Sequence, residues 1–381
     1  MKMEMTRRQF GLSFAALSLT ACTGAEVSGR GTESGLPSDL KPVPNAGYDA
    51  WVTSFRTRAA REGISEATLN AGLRDAGYLP GVVTRDRNQT EFKRSLEDYL
   101  SIAVSDERVS KGRAALARER TTLTAIENQY GVDAEIIAAI WGLESFYGAR
   151  RGNVPVVSAT STLAYDGRRG AFFERQLLAA LRILQNGDVS VEAMTGSWAG
   201  AMGHTQFIPT SYEAFAVDFA GDGKRDIWSE DPTDALASAA AYLARNGWTR
   251  GQSWGREIPP GSAGGTRQPQ PGGPRFAVNS NFRVIKRYNT SDAYAIGVGH
   301  LADRISGAGP LVTPFPPDAN GLTKDDRIAL QKRLTRIGFD TGGADGVIGP
   351  NTREAISSYQ SSRGLPNTGD PSVGLLRSLG G

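Results

Sequence analysis

Apolar residues recur every three or four positions over most of this chain, and that spacing constrains it to helices packed side by side. Tyr48, Trp51, Phe55 and Ala59 form one stripe, Gly63 stops it, and Ser65 caps the next helix. The same period runs through Phe92, Leu96, Tyr99 and Leu100, through Leu116, Leu123 and Ile126, and through Phe173, Leu177, Leu181 and Leu184. Pro259 to Pro274 interrupts it as a Pro/Gly-rich loop inside the domain, after which alternation resumes at Phe276 and a helix runs from Ser291 to Ile305. A second break, 307–321, carries four prolines and ends the domain. The roughly sixty residues beyond it lie near the lower size limit for independent folding. The expected fold is mainly α, with a large helical domain over 48–306, a Pro-rich linker over 307–321 and a small three-helix domain over 322–381.

With 39% hydrophobic and 22% charged residues, the 381-residue chain can bury a full core and is globular. Its formal net charge is +3 and no long basic run tracks a phosphate backbone, which argues against a nucleic-acid partner. One cysteine, Cys22, allows neither an intramolecular disulfide nor a cysteine-rich metal site, and two isolated histidines, His204 and His300, do not make a zinc site.

The position of Cys22 gives it a meaning. Basic residues at the start are followed by an apolar run, Phe10 to Leu19, and then by Leu19-Thr20-Ala21-Cys22. This is an export signal, too short to span a bilayer comfortably. Its ending resembles the bacterial lipobox, which implies cleavage before Cys22, acylation of that residue and a membrane anchor of several acyl chains. Residues 1–22 are thus expected to be a lipoprotein signal with its lipidation site. Thr6-Arg7-Arg8-Gln9-Phe10 also resembles a twin-arginine export motif, and the lack of Asp at Thr23 points to the outer membrane of a Gram-negative cell. The Gly-, Ser- and Pro-rich stretch 23–47 reads as a flexible tether.

Asp133 can cap a helix in which Ile136, Ile137, Ile140, Leu143, Glu144 and Tyr147 share one face. Glu144 therefore lies on an apolar stripe. A carboxyl desolvated there has its pKa raised and can donate a proton near neutrality. The competing expectation, equal on periodicity alone, is a buried ion pair with Arg150 or Arg151.

The surrounding motifs separate the two. Glu144-Ser145-Phe146-Tyr147-Gly148 is followed by Gly200-Ala201-Met202-Gly203-His204-Thr205-Gln206-Phe207, then Asp218-Phe219-Ala220-Gly221-Asp222-Gly223, Asp231-Pro232-Thr233-Asp234-Ala235-Leu236, and Tyr288-Asn289 before Ser291 and Tyr294. In this order they resemble the membrane-bound lytic transglycosylase B family over most of 48–306. The resemblance implies a lysozyme-like helical domain that cleaves peptidoglycan between N-acetylmuramic acid and N-acetylglucosamine without water as acceptor. It places Glu144 at the catalytic acid/base position and Ser197, Gln206, Tyr242, Tyr288 and Asn289 along the glycan cleft. Hydroxyls and amides suit sugar hydroxyls and acetamides, and aromatic rings suit pyranose faces. Tyr294 is expected instead to be core, its phenol reaching a backbone group.

The implied mechanism needs one carboxylate, because the muramic acid's own C6 hydroxyl attacks C1 and closes a 1,6-anhydro ring. Ordinary glycosidases use two; Asp166, Glu174 and Glu230 are the nearby acids, and charged surfaces explain them more simply. A hydrolytic muramidase and a non-catalytic peptidoglycan-binding lipoprotein are the alternatives. No cofactor is required for this chemistry. Asp218, Asp222, Asp226 and Asp234 resemble a lengthened calcium loop, implying a structural Ca2+, although Ala220 and Ser229 depart from the pattern.

In the C-terminal unit, Leu330-Gln331, Leu334, Gly338-Phe339, Asp345-Gly346, Gly349-Pro350, Thr352, Tyr359-Gln360 and Gly364-Leu365-Pro366 resemble the small peptidoglycan-binding domain of wall hydrolases. Gly346 and Gly349 are expected to permit a tight turn, Pro350 to start a helix, and Tyr359 and Leu365 to be core.

Overall fold

The computed structural model describes residues 35–88, 94–265 and 267–380. The export signal, Cys22, the first part of the tether and Phe92 lie outside the described residues. None of the described helices is long and apolar enough to cross a membrane.

Sixteen α-helices and two short two-stranded ladders make up the described chain, a mainly α protein. Many helix starts follow from a short polar side chain that accepts an orphan backbone N–H. Asn45 takes that of Tyr48, Ser65 that of Thr68, Ser95 that of Asp98, Ser105 that of Arg108 and Ser291 that of Tyr294. Gly131, at φ +68, closes the Arg120–Tyr130 helix in the left-handed conformation that favours glycine.

The organising element is the helix Ala134–Ser145, in which ten of twelve residues are buried. An amphipathic surface helix buries one stripe; this one is covered on all sides and so occupies the domain centre. The helices Asp106–Arg118, Arg120–Tyr130, Thr233–Arg245 and Asp292–Ile305 pack around it. Two expectations are corrected here. Asp133 holds the N-cap position, but its carboxylate makes no capping bond, and the first turn closes on its backbone carbonyl instead. Tyr147 lies beyond the helix at φ +59, where the turn swings its hydroxyl round to donate to the Arg108 carbonyl at 2.8 Å.

The Pro/Gly-rich loop is carried by a hairpin, Gly255–Ile258 antiparallel to Arg275–Val278. Residues 35–47, grouped with the tether by composition, are packed. Leu40 is buried with Leu79, Val82 and Phe173, Asp39 pairs with Arg85, and Val43 bridges to Tyr78. Two leucines, Leu36 and Leu40, dock the segment among its prolines and polar residues.

The C-terminal unit has helices Lys324–Arg336, Pro350–Ser362 and Val373–Ser378 around Leu322, Leu330, Leu334, Ile356, Tyr359 and Leu375. Pro350 opens its helix, and Thr323 with Asp326 forms a capping box on the first. Leu365 is 44% exposed rather than core, because it lies beyond the helix end, after Gly364 at φ +64. Gly346 uses φ +80, whereas Gly349 at φ −89 adopts a backbone open to any residue. The linker is laid along the hairpin: the Val312 and Thr313 N–H groups donate to Glu257 at 2.8 and 2.7 Å, and Leu311 and Phe315 pack on the main core.

Candidate active site

Glu144 sits in the last turn of the central helix, one residue before its end. The residue keeps a partly open side, yet protein crowds its carboxyl closely enough that burial pushes its pKa up to about 7. The opposing influence is the Tyr294 hydroxyl, which donates to Oε1 at 2.6 Å. No arginine neutralises it. Arg151 is spent on Glu230 and the Ser229 carbonyl, and the Arg150 guanidinium lies 4.6 Å from the centre of the Phe146 ring. The buried ion pair is therefore absent, and desolvation shifts the carboxyl toward its neutral form.

Asp166 pairs with Arg87, Glu174 with Arg58 and Glu230 with Arg151. No other acid contributes to the shift of Glu144, so among the described residues the site has one working carboxyl.

One of the two tyrosines departs from its expected part. Tyr294 is buried, but its phenol reaches Glu144 rather than a backbone group, because Ser291 caps its helix and aims the first turn at the carboxyl. The Tyr288 phenol donates to the Thr205 carbonyl at 2.7 Å. Its ring meets Tyr242 edge-on at 4.9 Å and lies tilted against Phe207 at 5.8 Å, and the Tyr242 hydroxyl donates to the Arg287 carbonyl. Both rings border two separate core clusters and form the seam between them.

Gln206 adopts φ +52 and commits its Nε2 to the Arg151 and Gly203 carbonyls at 3.0 and 2.9 Å, leaving Oε1 as an acceptor. Asn289 caps the Ser280–Tyr288 helix, and its Oδ1 accepts from Ser291 N at 3.0 Å. Ser197 Oγ accepts from Ala201 N across a tight turn. Gly152 lies against the Ser197 backbone, where a Cβ would come within 2.7 Å of Ser197 N, so Ser197 and Gln206 are set by the same Arg151–Gly152 segment.

Sequence reasoning passed over the groups that clamp this corner. Ser145 Oγ donates to the His204 carbonyl at 2.6 Å and accepts from Gly148 N, tying the end of the central helix to the loop that carries Gln206. His204 Nδ1 accepts from Trp141 Nε1 at 3.1 Å. Its proton is then on Nε2, donating to the Ser229 carbonyl at 2.7 Å, and burial keeps the ring neutral. Of the described non-glycine residues, only Phe146, Tyr147 and Gln206 have positive φ, and all three lie in these two loops. Strain of this kind persists where surrounding bonds over-determine the backbone. The signal was present in the two motifs, as a serine and a histidine with no role of their own.

The calcium-like loop brings together carboxylate oxygens of Asp218, Asp222 and Asp234 within 4.8 Å of one another. Asp226 is not among them. Its Oδ1 accepts from Trp228 and Ser229 N–H, because the chain turns there. Asp234 accepts backbone N–H bonds from Phe219, Ala220 and Asp226, which draws the loop closed over it. Among the described residues no basic side chain pairs with the three acids, and burial followed by the Asp218 charge raises the pKa of Asp234. Such a set suits a hard, oxygen-seeking cation.

The profile of the transglycosylase SLT domain matches residues 47–264 and 259–303, and that of the peptidoglycan binding domain matches 323–379. The chain is 30% identical over 242 residues to membrane-bound lytic murein transglycosylase B of Escherichia coli, a match covering 55% of this chain and 66% of that protein, just under two thirds of its length. Among solved structures, SltB3 from Pseudomonas aeruginosa in complex with NAG-NAM-pentapeptide is 42% identical and superposes with a TM-score of 0.69, covering 88% of this chain and all of that one. Escherichia coli Slt35 in complex with calcium is 27% identical, with a TM-score of 0.57 over 69% of this chain and 93% of that one. A lysozyme-like central helix ending in a lone desolvated carboxyl, and a family profile covering 47–303, together show that the chain belongs to the transglycosylase SLT domain family and carries a peptidoglycan binding domain behind it.

Proposed function

We propose that this protein is a lytic transglycosylase that cuts peptidoglycan between N-acetylmuramic acid and N-acetylglucosamine and leaves 1,6-anhydro ends. The observation that carries this reading is the solitary Glu144 carboxyl with a pKa near 7 and no second acid beside it. Glu144 protonates the glycosidic oxygen, and an oxocarbenium-like centre develops on the muramic acid. The carboxylate so formed takes the proton of that sugar's C6 hydroxyl as it attacks C1. Proximity supplies what a second carboxylate would otherwise provide. Tyr294 steers the carboxyl and softens its desolvation, while Tyr242 and Tyr288 offer ring faces to pyranoses. Gln206 offers an acceptor for a sugar hydroxyl or acetamide N–H, and Ser197 and Asn289 offer further polar contacts. The C-terminal domain holds the enzyme on its insoluble polymer and raises its effective concentration there.

Asp218, Asp222 and Asp234 hold a structural Ca2+, a reading supported by their spacing, by their lack of a basic partner and by the calcium bound to Slt35. The chain is exported and anchored through lipid at Cys22 on the periplasmic face of the outer membrane, a reading that rests on the sequence.

Mass spectrometry of digested sacculi is expected to show anhydro ends one water lighter than reducing ends; reducing ends alone would sink the transglycosylase reading. Glu144→Gln is expected to lose about 10²–10⁴-fold in rate, and the parent's kcat/KM is expected to fall as pH rises through about 7, since only the protonated acid can start the reaction. The folded-state pKa lies above the ordinary glutamate value, so ionisation in the folded state penalises stability as pH climbs from about 4.5 through about 7. Glu144→Gln is therefore expected to be more stable than the parent at pH 8, by up to ~3 kcal/mol, with little gain at pH 4; equal gains at both would overturn the shift. Calcium is expected to raise Tm by a few degrees over chelator, and Asp234→Asn to abolish the increment. Cys22→Ala is expected to move the protein from the membrane to the soluble fraction on cell fractionation, and unchanged partition would refute the anchor.

A further inference from the structure

A Pro-rich stretch of about fifteen residues, left free, would let its two ends wander over roughly 20 Å. In this chain it is strapped down at Glu257, and the domain beyond it is gripped by a single arginine. Arg327, in the first helix of the C-terminal unit, has a side chain only 3% exposed. Its Nε donates to the Gly346 carbonyl, and its Nη1 donates to the Leu322 carbonyl and to Asp318. Nη2 reaches Glu97 and Asp98, some 230 residues earlier in the chain. All five guanidinium N–H donors are accounted for.

The receiving helix, Leu96–Ala103, is part of the catalytic core. Glu97 is itself buried, and its backbone N–H donates to Gln270 of the Pro/Gly-rich loop at 3.0 Å. Two residues on, Tyr99 packs against Gly297, where a Cβ would come within 2.8 Å of the Tyr99 ring. Gly297 is one helical turn from Tyr294, the donor to Glu144. The grip on the C-terminal domain and the support of the acid/base thus share one short helix and the helix packed on it.

We propose that Arg327 is a positioning residue: through Glu97 and Asp98 it locks the peptidoglycan binding domain at one distance and orientation from the Glu144 cleft, so that the cut falls at a set number of sugars from where that domain holds the strand. The proposal rests on the transglycosylase reading above. It treats the C-terminal domain as part of a ruler, where a tethered domain would only raise local concentration. A lysine cannot replace the arginine, because its point charge lacks the fork that spans three carboxylates and two backbone carbonyls.

The test uses the full chain and three variants: the pair Glu97→Gln with Asp98→Asn, and the single changes Arg327→Met and Arg327→Lys. The Glu97/Asp98 pair leaves the internal bonds of the C-terminal domain untouched, so it stays informative if Arg327→Met unfolds that domain. Small-angle scattering is expected to show a larger radius of gyration for each variant. The rate on short, peptide-free glycan oligomers, which cannot reach the C-terminal domain, is expected to match the parent. Products from long strands are expected to have a narrow length distribution for the parent and a broad one for the variants. An unchanged radius of gyration in the Glu97/Asp98 pair would overturn the latch. Separated domains with an unchanged product distribution, or a parent whose products are already broad, would overturn the ruler. A parent that cuts no glycan would strike the transglycosylase reading instead, and scattering would still decide whether the latch holds.

Discussion

A carboxyl taken out of water without a cation beside it is the condition on which the rest of this structure depends. Desolving Glu144 raises its pKa to about 7, and an arginine at the same place would have cancelled the effect. The fold excludes that arginine by employing the two nearest ones elsewhere, Arg150 on the face of Phe146 and Arg151 on Glu230 and Ser229. What remains is Tyr294, a neutral donor whose own ionisation is suppressed by burial and by the charge of Glu144. A neutral donor orients the carboxyl in either protonation state and moves its pKa less than a cation would, which suits the acid/base role proposed for it.

Holding such a group needs a rigid surround. The central helix supplies it by being buried on every side, and the break at its end is held by Ser145, which bonds the His204 carbonyl and the Gly148 amide. The rim aromatics are shared with the packing: Tyr242 and Tyr288 close the seam between two core clusters while their hydroxyls are spent on backbone carbonyls. Their polar ends are fixed by the fold, and their rings are held among Phe207 and Phe215. A cleft built this way is as stiff as the core that lines it.

Much of this was legible in order but not in partnership. Helical period located the elements from Tyr48 to Ile305, and the cap serines marked several of their starts. Glu144 stood on an apolar stripe, and its motif context distinguished it from a structural glutamate. The motifs assign Tyr288 to the cleft and Tyr294 to the core, but which of the two phenols meets a carboxyl depends on how two helices cross, and it is that of Tyr294. Asp226 fits a calcium loop by spacing, yet the turn at Trp228 and Ser229 takes its oxygen. The segment 35–47 reads as tether by composition, because a window of glycines and prolines hides the two leucines, Leu36 and Leu40, that dock it.

The sequence by itself determined the helical class and the family, because each is written in residues close together along the chain. The tertiary structure decided what those residues face: that Glu144 meets Tyr294 and no arginine, that three of four aspartates converge, and that Arg327 closes on Glu97. The physical reason is the same in each case. A pKa, a cluster of carboxylates and an interdomain ion pair are set by distances of a few ångströms between groups far apart in the chain, and local period and propensity carry no information about them.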